Sequence, residues 1–390
     1  MRYNSSPDCL DRPGLKPFQT GCAGLPLECS KSKRRKGQAR LCETHGIAVL
    51  KRSERKLKFA VVALNALLAA MLSRAVAGPV LLLSGVGFCA DVALPNAKPV
   101  PVAQAIPLPH QEISLQRNGV ELARLHLEPD EFRPFIFPVI GPSGRSLTRM
   151  GHPHDPVTHS HHNSVWISHH DVNGISFWND GGKGRIVVQR VESFEDGDDE
   201  AAALTTAQWR AEGVPLLNEQ RRTAVHLLPN NEWFLLIDLQ LDPSGTNDVI
   251  LGKTPFGIIG VRMAKTIGVH DGGGMIRNSE GGVNEKEVLW KPARWVDYSG
   301  PITATTREGI TLMDHAANPN HPAVFHVRDD GWMGASLTFA EPRVLKPGKP
   351  LRLRYGLYIH SGVPPAADLE QHWKEFAGWP LPELKPAAKR

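Results

Sequence analysis

Between Arg149 and Trp178 the chain reads RMGHPHDPVTHSHHNSVWISHHDVNGISFW and holds seven of the protein's 17 histidines: His152, His154, His159, His161, His162, His169 and His170. Histidine titrates near neutral pH and is the commonest transition-metal ligand, so the window is a candidate for acid–base or metal chemistry. His159-Ser160-His161 is an H-x-H pair, and on a strand the period of two sets both imidazoles on one face, where they could share a divalent transition metal. No carboxylate or cysteine at ligand spacing fixes a particular ion. The same histidines could instead hydrogen-bond a substrate and move its protons without a metal.

An extended chain would carry His169 about 33 Å from His159 at ~3.3 Å per residue, too far for one site. A joint site therefore needs a bend, and Asn163-Ser164 is the place for it, ahead of a strand over Val165–Ser168. Asp171-Val172-Asn173-Gly174 is a turn signature, in which Asp and Asn bond their own backbone and Gly accepts positive φ. Trp166, Phe177 and Trp178 could stack on a sugar ring or belong to the core. Further along, His326-Val327-Arg328 places His and Arg on one face of a strand, a pairing suited to an oxyanion or a ring hydroxyl.

Other motifs carry less chemistry. Arg277–Gly281 and Trp295–Tyr298 read as loops, and Glu280 is the acid to test as a general base. The cluster Asp271-Gly272-Gly273-Gly274 lacks the strand and helix of a phosphate loop and is expected to be a mobile loop. Glu195–Glu200 (EDGDDE) does not have calcium-loop spacing and reads as a solvated turn. There is no G-x-S-x-G elbow for a serine hydrolase.

The elements that must position these residues are short. Asn118-Gly119 between Ile113–Arg117 and Val120–Leu127 is a hairpin with a type I′ turn, and Pro229-Asn230-Asn231 joins Thr223–Leu228 to Trp233–Leu241 as a second. Strand-length apolar runs recur through Leu351–Ile359, and only Ala366–Gly378 has helical spacing, with Leu369, Trp373 and Phe376 expected to pack on a sheet edge. The pattern predicts an all-β protein, an antiparallel sandwich or barrel with a short C-terminal helix.

The formal charge of +5 divides unevenly. Residues 1–90 hold 15 Lys/Arg against 5 Asp/Glu, so the body from 91 onward is net −5, and nucleic acid is not an expected partner. All five cysteines lie before residue 90, which leaves the body without a disulfide framework or a thiolate site. Residues 1–70 read as a disordered or mis-started extension. Residues 71–90 have the layout of a signal peptide, with a rival cut after Ala75-Val76-Ala77, so the body is expected to be periplasmic or secreted, with no stable membrane span in the mature form. Residues 91–110 are a Pro-rich linker, 111–378 one domain, and 379–390 a tail.

Arg149, the His159-x-His161-His162 block, Trp166, His169 with Asp171-Val172-Asn173-Gly174, Phe177-Trp178 and His326-Val327-Arg328 resemble a bacterial family labelled "methane oxygenase PmoA". The likeness runs over most of 110–362, including Phe256–Met263, Asn278–Gly281, Trp295–Tyr298 and Leu353–Gly362. The membrane methane monooxygenase subunit is a bundle of apolar helices, and this body has no apolar span. Members look like secreted proteins of glycan-degrading bacteria, with a sandwich similar to the galactose-mutarotase-like supersandwich. Where members read Asp-His-Pro-His-His-Arg-Gly, this chain has Thr158-His159-Ser160-His161-His162-Asn163-Ser164, so it lacks an acid and an arginine but keeps three histidines.

What this implies is a cleft that binds or transforms a carbohydrate or other small polar substrate. Its acid–base groups would come from His161, His162, His169, His326 and Glu280. Arg149, Trp166, Asp171, Asn173, Arg262 and Arg328 would contact the substrate. If the protein is an enzyme, an epimerase, lyase or hydrolase fits the proton transfer. Two alternatives stay open: a metal-dependent oxidase or oxygenase built on His159 and His161, and a non-catalytic glycan-binding module.

Overall fold

The computed structural model describes residues 98–384, so the expected extension, the signal peptide and residues 385–390 of the tail lie outside the described residues. Two large sheets, antiparallel throughout their paired strands, make up most of the body. Along the first, nine-stranded sheet the order is Ala103–Leu108, Glu112–Arg117, Val120–His126, Phe135–Val139, Val165–His169, Gly257–Arg262, Trp332–Ser336, Val324–Arg328 and Lys291–Pro292. The second has eight strands, ordered Met275–Asn278, Trp295–Pro301, Arg307–Asp314, Leu351–Ser361, Trp233–Pro243, Val214–Leu227, Glu200–Ala211 and Gly184–Glu195. Val249–Leu251 and Arg343–Leu345 form a small separate ribbon.

Alternation along each strand builds the sandwich. Val165, Ile167, Ile259, Val261, Val327 and Met333 of the first sheet share one buried cluster with Leu235, Ile237, Ile310, Leu312, Leu357 and Ile359 of the second. The protein is therefore an antiparallel β-sandwich whose core lies between the sheets. Both expected hairpins form: Arg117 pairs with Val120 across Asn118 and Gly119, at φ 50° and 76°, and Leu227 pairs with Trp233.

Four expectations are corrected. Inside the expected linker, Ala103–Leu108 is a strand paired with Glu112–Arg117, its Ala103 and Ala105 buried in the core. The helix Ala366–Gly378 packs on a sheet face rather than an edge: Leu369 and Phe376 join Phe234, Leu236 and Tyr358, which alternate with the core residues and so point out of the sandwich. Residues 277–278 and Trp295–Tyr298 are strands, not loops, paired Arg277 to Asp297 and Asn278 to Val296. The glycine cluster is a short helical turn, Val269–Gly272, folded tightly against its own preceding loop. A Cβ on Gly272 would lie 1.7 Å from the Thr266 carbonyl oxygen and one on Gly274 1.8 Å from that of Ile267, so glycine is needed for close approach.

No helix among the described residues is long and apolar enough to cross a membrane.

A histidine-lined cleft on the outer face of the nine-stranded sheet

The residues that alternate with the core point to the other side of the nine-stranded sheet. Cross-strand register lines up Trp166, Gly260, Gly334 and His326 in one row, and Arg262, Trp332 and Arg328 in the next. A Cβ on Gly260 would lie 2.7 Å from the Trp332 indole and 2.8 Å from that of Trp166. The glycines thus leave room for two indoles to lie across the sheet. Their rings sit 5.3 Å apart, and Trp178 packs 5.3 Å from Trp166 and 5.7 Å from Trp332. This aromatic layer is the floor of a cleft of about 380 Å³, lined by His152, His159, His161, His162, His170, His326, Arg262, Arg328, Asp330, Phe256 and further groups.

The histidine window folds back over that floor. Pro156–His161 is a turn rather than a strand, and the chain bends at Ser164, whose φ is 57°, before entering Val165–His169. His162 lies on both indoles, its ring 5.5 Å from Trp166 and 5.3 Å from Trp332, while His161 meets it edge-on at 4.6 Å. His159 is 5.0 Å from His162 and 4.7 Å from His152, and its Nδ1 hydrogen-bonds to Asp155. The turn is tied down by Arg133, a buried arginine that the sequence reading missed. Its guanidinium donates to the carbonyls of His161, Phe177 and Trp178 and to the side chains of Asn163 and Asp180. A lone arginine between Pro-flanked apolar residues gives no sequence signal of that role.

Burial decides the protonation of these groups. His161 and His326 are pushed down to about 4 by desolvation, with nearby arginines acting in the same direction, and His162 is driven lower still by burial. All three are neutral imidazoles at neutral pH. Nδ1 of His162 and Nδ1 of His326 are buried and have no hydrogen-bond partner. Arg262, fully buried, donates to Asp330 at 2.9 Å and to its carbonyl at 2.7 Å; Asp330, held below the usual carboxylate range despite burial, also takes a hydrogen bond from His152 at 2.8 Å. Arg328 reaches the cleft from the same strand face as His326 and pairs with Glu285 at 3.2 Å.

Several expected site residues lie elsewhere. His169 has the parity of Val165 and Ile167, so its ring is buried on the core side, bonded to Thr338 Oγ1 and accepting from the Asp171 N–H. Its neighbour His170 lines the cleft instead. Asp171 caps its own turn through the Gly174 N–H, and Asn173 accepts from the Ile250 N–H, which makes that segment a structural turn docked on the small ribbon. Glu280 sits on a turn away from the cleft, paired with Arg294. Trp166 forms the floor beneath His162, and Arg149 does not line the cleft, its backbone N–H donated to the Arg262 carbonyl. His159 and His161 do line the cleft, with rings 5.8 Å apart, but among the described residues they belong to no set of three donors close enough to share an ion. Asp330 and Trp332 went unread, although the turn Asp329-Asp330-Gly331 directly follows His326-Val327-Arg328 and must return a strand beside it.

Fold and site together define an antiparallel β-sandwich with a histidine- and tryptophan-lined cleft on one outer face. Residues 112–374 match the family described as "Family of unknown function (DUF6807)", and the chain belongs to that family. No curated protein matches its sequence. Among solved structures, the heparan sulfate lyase HepC from Pedobacter heparinus aligns over 65% of this chain and 34% of its own, at 10% identity and a TM-score of 0.32. A putative kojibiose phosphorylase from human microbiome aligns over 72% and 37%, at 10% identity and a TM-score of 0.31. The chain thus spans about a third of the length of each.

Proposed function

We propose that this protein binds a carbohydrate in the histidine-lined cleft and transforms it by proton transfer at a sugar carbon or at the glycosidic oxygen. The observation that carries the reading is the set of neutral imidazoles, His161, His162 and His326, that line a cleft floored by indoles. Flat aromatic surface beside directional polar groups suits the apolar face and hydroxyl rim of a pyranose ring. A neutral imidazole can accept a proton at neutral pH, and Arg328, half exposed at the cleft and paired with Glu285, would stabilise negative charge that develops on the sugar.

The test is a panel of neutral and acidic oligosaccharides incubated with the protein in D2O and followed by NMR. Deuterium entering a ring carbon, or a glycosidic bond breaking, is the expected result, and His326→Gln should slow it by about 10²-fold. A sugar that binds without turnover would make the protein a glycan-binding module. No binding by any sugar would remove the reading. We also propose export of the body through residues 71–90; N-terminal sequencing of secreted material should find a chain starting near Asp91.

A further inference from the structure

We propose that His154, His270 and Asp271 form a binding site for a divalent transition-metal ion at the rim of the cleft, separate from the H-x-H pair. One donor atom from each of the three residues lies within 4.8 Å of the others. His154 Nε2 is 2.8 and 2.9 Å from the two carboxylate oxygens of Asp271, and His270 Nδ1 is 3.3 Å from Oδ1. Ligand atoms about 2.1 Å from a common ion, at octahedral or tetrahedral angles, stand roughly 3.0–3.4 Å apart. The two histidine–carboxylate separations are close to that, and the imidazole nitrogens lie within 4.8 Å of each other. The two imidazoles meet nearly at right angles, at 85° with centroids 5.8 Å apart.

The donors are held in place from behind. His152 Nδ1 accepts the backbone N–H groups of His154 and Asp155, and its Nε2 is bonded to Asp330 in the cleft wall. The His270 N–H donates to the Asp329 carbonyl, and the glycines around Asp271 lock its turn against Thr266 and Ile267. Two imidazoles and one carboxylate favour Zn²⁺, Co²⁺ or Ni²⁺ over Mg²⁺ and Ca²⁺, which prefer all-oxygen shells. With the side chains of His154 and His270 47% and 70% exposed, the remaining coordination positions are open to water or to a ligand. A bound ion would clamp the histidine turn to the Val269–Gly272 turn.

The experiment uses the untagged full chain, stripped with chelator and titrated with Zn²⁺ by calorimetry, with Co²⁺ absorption as a second readout. One Zn²⁺ per chain is expected, undisturbed by excess Mg²⁺. Asp271→Asn and His270→Ala should each weaken it tenfold or more and change the Co²⁺ spectrum, while melting like the parent without metal. His161→Ala should leave the affinity unchanged. A chain that takes up no stoichiometric zinc overturns the proposal, and so does zinc whose affinity follows His161→Ala rather than Asp271→Asn. The sugar assays above address the cleft independently of this result.

Discussion

At the scale of single residues, the cleft is set by which imidazoles lose their water. His161 and His326 are both pushed down to about 4 by burial, whereas an unfolded chain would protonate them near 6.5. Between those values the unfolded state binds more protons than the folded one, so stability must fall as pH drops from about 6.5 to about 4. Each histidine should contribute up to about 3 kcal/mol to that loss. Urea unfolding at a series of pH values measures it, and His326→Gln should flatten the slope; a slope unchanged by that variant would mean that His326 titrates in the folded protein as in water. Asp330 and Asp297, held below the usual carboxylate range, lose their contributions only at still lower pH. The unpartnered nitrogens could not have been read from sequence, because they depend on how His162 settles over Trp166 and Trp332, which are 166 positions apart in the chain.

At the scale of elements, short-range signals were legible and buried polarity was not. Asn118-Gly119 announced its hairpin because positive φ at both positions is a local demand. Trp295–Tyr298 reads as a loop because of its carboxylate, yet it begins the strand Trp295–Pro301, in which Asp297 and Ser299 are fully buried. Arg277, His360, Ser299 and Thr311 all bond the Asp297 carboxylate, a compensation spread over four strands that no window reveals. The same limit hid Arg133, whose five hydrogen bonds fasten the histidine turn to Phe177, Trp178 and Asp180. Arg133→Met should cost roughly 3–5 kcal/mol, because it strands a partly buried Asp180 and three carbonyls. It should also weaken sugar binding, as His161 loses its anchor; denaturant midpoints and sugar titration on the same variant check the two together. Gly260→Ala tests the floor itself: a Cβ at 2.7–2.8 Å from two indoles should destabilise by about 1–3 kcal/mol and disturb the cleft even though position 260 touches no substrate.

At the scale of the whole molecule, the sandwich separates what holds it together from what it does. The two-residue period that hides Leu235 and Leu357 between the sheets leaves Phe234, Leu236 and Tyr358 on the outer face of the eight-stranded sheet, where the helix Ala366–Gly378 covers them. The cleft occupies the outer face of the other sheet, with the full core between. Phe376 is the helix's main anchor: fully buried, it stacks with Phe234 and rests on Gly356, where a Cβ would approach its ring to 2.8 Å. Phe376→Ala should therefore cost about 3–5 kcal/mol, the usual range for emptying a buried aromatic site. Because no residue of that cluster lines the cleft, sugar affinity of the folded fraction should stay within about twofold, a change worth under ~0.5 kcal/mol. Unfolding by denaturant and calorimetric titration of the same variant measure the two quantities. A loss of affinity that tracked the loss of stability would mean that the two outer faces are coupled through the core, and that the nine-stranded sheet does not hold its indole floor independently of the helix on the opposite face.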